Sequence, residues 1–148
     1  MSEVLDSDTL AAIASEAAAA MFSIDLEPLS ETDSRSISHR GRRAVLLRLM
    51  GAPEIMLALV ADSEAGAMLA SSIFEVAPED ADGAMVDDSL RELANIFAGQ
   101  VKSMVAPEHH IGLPRVQSDS ASLANREWHG VSFRIGGSNE VLDVALAA

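Results

Sequence analysis

The stretch DDSLRELANIFAGQVKSMV, residues 87–105, sets five polar or small residues at helical spacing: Asp88, Glu92, Asn95, Gly99 and Lys102. Asn95 offers a carboxamide that both accepts and donates hydrogen bonds, so it can hold and aim a water molecule without ionising. Glu92, about one turn earlier, can anchor a cation on an incoming partner. Gly99, one turn later, carries no side chain and lets another surface approach the helix. Turning each residue by about 100° places all five within an arc of roughly 80°. Leu90, Leu93, Ala94, Phe97, Val101, Met104 and Val105 fall on the opposite side. The pattern is an amphipathic helix with one core face and one polar stripe, and its chemistry is docking combined with placement of a water.

Some of the stripe also has structural uses. Asp88 or Ser89 can serve as N-cap, and Ser89 with Glu92 three residues on has the spacing of a capping box. Lys102 suits the negative end of the helix dipole. Asn95 and Gly99 have no such use. Asn is a poor mid-helix residue, Gly costs about 1 kcal/mol relative to Ala, and both lie on the outward face.

Other chemistries find less support. The chain has no cysteine, which rules out thiol catalysis, disulfides and Cys-ligated zinc. His109 and His110 are adjacent and would diverge on any regular element, with no carboxylates at ligand spacing, so they read as a loop pair and no metal site is assigned. Gly136-Gly137 reads as a hairpin turn, since no helix follows to bind a phosphate. No G-x-S-x-G elbow occurs. With 23 acidic residues against 10 basic and a formal charge of −13, nucleic-acid binding is not expected. The basic cluster RSISHRGRR, residues 35–43, reads as a solvated loop beside a strand. No stretch reaches the roughly 18 apolar residues of a membrane span. The N-terminus carries Glu3, Asp6 and Asp8 but no Lys or Arg ahead of its apolar part, unlike a signal peptide. The expectation is a cytoplasmic protein with no membrane association.

The 148 residues have the size of one domain, so the domain reading is 1–148, with a core of Ala, Leu, Val, Ile and Met because aromatics are scarce. Residues 8–22 carry a helical period with Ser7 or Asp8 as N-cap. SIDLEP suggests a short strand stopped by Pro28, followed by a polar loop to about residue 42. AVLLRLM and EIMLALVA, joined by Gly51-Ala52-Pro53, form a hairpin. Asp62 and Ser63 cap a helix through SEAGAMLASSIFE. VAPEDADGAMVDDS, with Pro, Gly and five acidic residues, reads as an exposed connection. After the stripe helix come a strand around IGLPRVQ, a polar loop ending near Trp128, and a hairpin of VSFRI and VLDVALA turned by residues 136–139. The order is helix, three strands, helix, then helix, three strands, an apparent duplication of one helix–three-strand unit. Hairpin connections predict an α+β fold, a largely antiparallel sheet with helices packed on one face.

Asp88-x-x-x-Glu92-x-x-Asn95 resembles the [DS]-x-x-x-E-x-x-N signature of the CheC/CheX/FliY family of chemotaxis phosphatases. ELANIFAGQVKS is most similar to the CheX branch, in which a Gly stands four residues after the Asn and a Lys three further on, here Gly99 and Lys102. GLPRV resembles the Pro-containing strand that follows the helix in that family, and the closing hairpin fits as well. The resemblance covers most of the chain.

The resemblance implies a phosphatase, a hydrolase of two-component signalling whose substrate is the phosphoaspartate of a CheY-like receiver domain. It assigns Glu92 a salt bridge to the receiver's active-site lysine and Asn95 the placing of water for in-line attack, with Asp88, Gly99 and Lys102 on the docking surface. No cofactor of its own is implied, because the receiver brings Mg²⁺. The alternative is a non-catalytic adaptor that binds a receiver or motor-switch component through the same stripe. Aligning SEAAAAM with RELANIF sets Glu16 opposite Glu92 and Ala19 opposite Asn95, so one active helix per chain is expected. The CheX branch also implies a homodimer that pairs sheet edges, for which the strand at 140–147 is a candidate.

Overall fold

The computed structural model describes residues 5–38, 41–117 and 119–148. In chain order the elements are α1 (Ser7–Phe22), β1 (Leu26–Asp33), α2 (Ser34–Ile37), β2 (Arg43–Met50), β3 (Ile55–Ala61), α3 (Ser63–Phe74), α4 (Gly83–Val105), β4 (His110–Ile111), β5 (Arg115–Gln117), β6 (His129–Ile135) and β7 (Val141–Ala147), with 3-10 turns at Pro78–Asp80 and Ser120–Asn125.

The strands form one seven-stranded sheet in the order β1-β6-β7-β3-β2-β4, with β5 beside β4 on the same flank of β2. All pairings are antiparallel. Both expected hairpins are present, with Leu47 opposite Leu57 in β2–β3 and Val131 opposite Val144 in β6–β7. The order reads the same when β1, β2 and β3 are exchanged with β4–β5, β6 and β7, the arrangement a duplicated helix–three-strand unit would produce. Alternation along each strand decides which face is covered. Leu47, Leu57, Val144 and Phe133 face α1, α3 and α4 in the main core. On the opposite face Trp128, Leu123 and Ile37 pack on a bed of small strand residues, Ala44, Ala58, Ala145 and Ala147. The indole Nε1 of Trp128 donates to the Leu123 carbonyl at 2.8 Å, so its one polar atom is satisfied where it is buried. Helices on one face therefore describes the long helices, while α2 and the second 3-10 turn cover part of the other side.

Several local expectations are corrected. α1 is capped by Asp6, whose carboxylate accepts from the Thr9 amide at 2.7 Å, not by Ser7 or Asp8. That hydrogen bond holds the Asp6 carboxyl below the usual carboxylate range. β1 does not stop at Pro28 but continues to Asp33 through a register shift between Pro28 and Ser30. An edge strand tolerates a residue with no amide hydrogen. The strand expected around IGLPRVQ is split into β4 and β5, both on β2. His109 Nε2 donates to the Pro53 carbonyl, 2.6 Å away, while His110 opens β4 rather than sharing a loop with it. The strand at 140–147 is not an edge, because β7 is hydrogen-bonded to β3 on one side and β6 on the other. The edges are β1 and β4–β5.

Two arginines of the basic cluster, Arg42 and Arg43, make internal contacts, while Arg35 is exposed. Arg42 reaches the buried Asp143 carboxylate at 2.6 Å, and Ser132 donates to the second oxygen of the same carboxylate. Arg43 spans 2.5 Å to Asp87 and 3.2 Å to the Gly83 carbonyl, tying the start of α4 to β2. Residues 39 and 40 of the cluster lie outside the described residues.

Candidate functional site

The helix that carries the stripe is longer than its sequence suggests. α4 begins at Gly83, and its N-cap is Asp82, whose side chain accepts from the Met85 amide at 2.9 Å. Seven residues of the acidic connection, 83–89, are therefore helix. Asp88 and Ser89 sit in its second turn, so neither is an N-cap. Ser89 is fully buried and donates to the Met85 carbonyl at 2.8 Å, the back-bond a mid-helix serine makes. The expected Ser89–Glu92 capping box does not form, and Glu92 loses its structural explanation.

Packing holds the helix in place. Val86, Leu90, Leu93, Ala94, Phe97, Ala98 and Val101 are buried against the sheet and neighbouring helices. Met104 and Val105, expected in the core, are exposed in the last turn, beyond Val101. The opposite face carries the stripe outward. Asp88, Glu92 and Asn95 are exposed, and Gly99 and Lys102 half-exposed.

The five residues divide by what their own chain does with them. Asp88 pairs with Arg91 at 2.7 Å, both exposed, a contact worth well under about 1 kcal/mol. Lys102 donates to the Pro107 carbonyl at 2.9 Å and closes the helix C-terminus. Glu92 and Asn95 make no side-chain hydrogen bond or ion pair among the described residues. A Cβ placed on Gly99 would meet nothing within 4 Å. No contact inside the molecule asks for glycine there, so its helix penalty of about 1 kcal/mol is uncompensated within the chain.

The arrangement offers a carboxylate and a carboxamide one turn apart, on the outward face of a helix anchored along its length, beside a gap in the side-chain surface. It can bind a cation and orient one small nucleophile on a partner that comes close. Among the described residues no three His, Asp or Glu cluster as a metal site, and no helix is long and apolar enough to cross a membrane. Beside Asn95 and Gly99 runs a groove shared with α1, lined by Glu16, Ala17, Ala20, Met21 and Met104. Reading the stripe on one helix missed it. Glu16 had a signal, in its alignment with Glu92, but Met104 was assigned to the core.

Comparison with solved structures finds the same fold at low identity. The CheX–CheY–BeF₃–Mg²⁺ complex from Borrelia burgdorferi matches at 19% identity over 95% of each chain, with a TM-score of 0.76. A chemotaxis protein CheX from Desulfovibrio desulfuricans matches at 10% identity over 95% of this chain and 96% of its own, with a TM-score of 0.72. A CheC-like superfamily protein from Shewanella sp. PV-4 matches at 14% identity over 95% and 94%, with a TM-score of 0.71. No curated protein sequence matches the chain. The family described as chemotaxis phosphatase CheX matches residues 43–133, from the first residue of β2 into β6 and including all of α4. The chain belongs to the CheX family.

Proposed function

We propose that this protein hydrolyses the phosphoaspartate of a CheY-like receiver domain. The supporting observation is the pair Glu92 and Asn95, exposed one turn apart on α4 with no partner in their own chain. Glu92 pairs with a lysine at the receiver's phosphorylation site. The Asn95 carboxamide accepts from a water and points its lone pair at phosphorus, in line with the acyl oxygen. The water oxygen forms the new P–O bond while the bond to the aspartyl oxygen breaks. The acyl phosphate dianion and water become a carboxylate and dihydrogen phosphate, so both hydrogens leave with the phosphate. No general base of shifted pKa is needed, because the leaving carboxylate requires no proton and the Mg²⁺ on the receiver screens the phosphoryl oxygens. Gly99 clears the approach, with Asp88 and Lys102 at the margins of the contact. α1 has no Asn, so one site acts per chain.

Residues 1–148 then act as one cytoplasmic domain. The chain also pairs as a homodimer through a sheet edge, β1 or β4–β5, which sedimentation of the pure protein tests.

The functional test is phosphate release from Mg²⁺-loaded phospho-receivers of the host. Asn95→Ala should lower kcat about 100-fold with an unchanged unfolding midpoint. Binding of a phospho-receiver with no acceleration of phosphate loss by the wild type would instead assign the stripe to a non-catalytic adaptor.

A further inference from the structure

The groove between α1 and α4, about 580 Å³ in volume, has three properties that the stripe alone does not explain. Its lining includes three small residues, Ala17 and Ala20 from α1 and Gly99 from α4, beside the aliphatic Ile13 and Ile96, leaving room for a side chain from outside. Its walls carry Met21 and Met104, 59% and 56% exposed, and thioethers on flexible stems adapt to the shape that meets them. At its rim stands Glu16, exposed and, like Glu92, without an ion pair or side-chain hydrogen bond among the described residues. The nearby cations on α4 are occupied, Arg91 with Asp88 and Lys102 with the Pro107 carbonyl. An apolar cleft bordered by the unpaired Glu16 carboxylate is complementary to an apolar side chain flanked by a lysine or arginine.

Asn95 lines this groove. Any partner whose reacting atom Asn95 reaches therefore also lies over it. We infer that the groove is the specificity-determining part of the docking site: it takes an apolar side chain from the receiver surface beside the phosphoaspartate, and Glu16 pairs with a basic residue next to that side chain. This rests on the receiver-phosphatase reading of Asn95. It adds that α1, which lacks the Asn, selects the substrate by binding. Glu16 is a docking residue that touches no reacting atom, so its effect belongs on KM and not on kcat.

The test uses the host's receiver domains loaded with Mg²⁺ and beryllofluoride for binding, and the same domains phosphorylated for turnover. Glu16→Lys and Met104→Glu should each weaken binding about tenfold and raise KM by the same factor with kcat retained, since the first sets like charges against each other and the second buries a carboxylate against an apolar side chain. Asn95→Ala should show the converse, a loss in kcat with binding kept. Glu16→Gln, isosteric at an exposed position, guards against a folding defect and should produce a smaller loss of the same kind. The groove assignment is overturned if the Glu16 and Met104 variants, folded as judged by thermal melts, bind and turn over like the wild type. If the wild type binds the beryllofluoride-loaded receiver but does not accelerate phosphate loss, the phosphatase reading fails while the groove assignment is still decided by the binding arm. If no receiver binds, both fall.

Discussion

Gly99 is where the interests of stability and function separate most clearly. An added Cβ would contact nothing, and Ala exceeds Gly in a helix by about 1 kcal/mol. Gly99→Ala should therefore raise the melting temperature by about 2–4 °C while lowering kcat/KM toward a phospho-receiver. A rise in stability with no loss of turnover would leave the glycine without a docking role. Glu140, immediately before β7, makes a second prediction. Its carboxyl is held above the ordinary range by a hydrogen bond with Glu64, followed by burial and the charges of Asp62 and Glu64. The folded state thus keeps this proton more tightly than the unfolded chain. Near pH 3 both states are protonated and nothing is lost; as pH rises, the unfolded chain releases the proton first, and stability falls until the folded carboxyl has also ionised. Glu140→Gln removes that loss, so the variant should melt above the wild type at pH 7 and level with it near pH 3. An equal difference at both pH values would show that the carboxyl cluster is not the cause.

At the scale of elements, the start of α4 matters more than any stripe residue, because it decides which residues cap and which project. With Asp82 as cap, Asp82→Ala should destabilise by about 1 kcal/mol in urea unfolding. Asp88→Ala, which breaks only an exposed pair with Arg91, should cost a few tenths. The reverse ranking would restore the later helix start and return Glu92 to a capping role. The Arg43 contacts to Gly83 and Asp87 tie the first turns to β2, and the buried row from Val86 to Val101 ties the rest. Between these attachments α4 keeps Glu92 and Asn95 at a fixed aspect, as the proposed placing of a water requires.

For the molecule as a whole, net charge sets how a partner arrives. A chain at −13 repels an acidic receiver surface at long range, while the contact itself depends on short-range complementarity. The association rate constant in stopped-flow mixing should rise as salt goes from about 0.01 to 0.1 M, over which the screening length falls from about 30 to 10 Å. A falling rate would mean that local attraction governs the encounter. The symmetric strand order also has a functional consequence. It sets the opening helix of one half beside the opening helix of the other, so that α1 and α4 share a groove although only α4 carries the Asn.

What the amino-acid sequence determined unaided was periodic and local. A 3.6-residue period is carried by each residue's own neighbours along the helix, so the stripe of Asp88, Glu92, Asn95, Gly99 and Lys102 was legible together with most of the core face. The period-2 runs on either side of short turns likewise made β2–β3 and β6–β7 legible as hairpins, and with them the antiparallel α+β fold. The start of α4 was not, because Gly83 to Val86 reads as polar connection unless the sheet beneath Val86 is known. Nor was the central place of β7, which depends on pairing with β3, far away in the chain, as well as with β6. Pro28 resembled a strand end because edge position is a property of the sheet. Met104 fits the core face by angle and is exposed because it lies past the last buried turn. The groove with Glu16 on its rim belongs to no segment: it exists only where two helices from opposite halves of the chain pack side by side, and there tertiary structure alone decides what a partner meets.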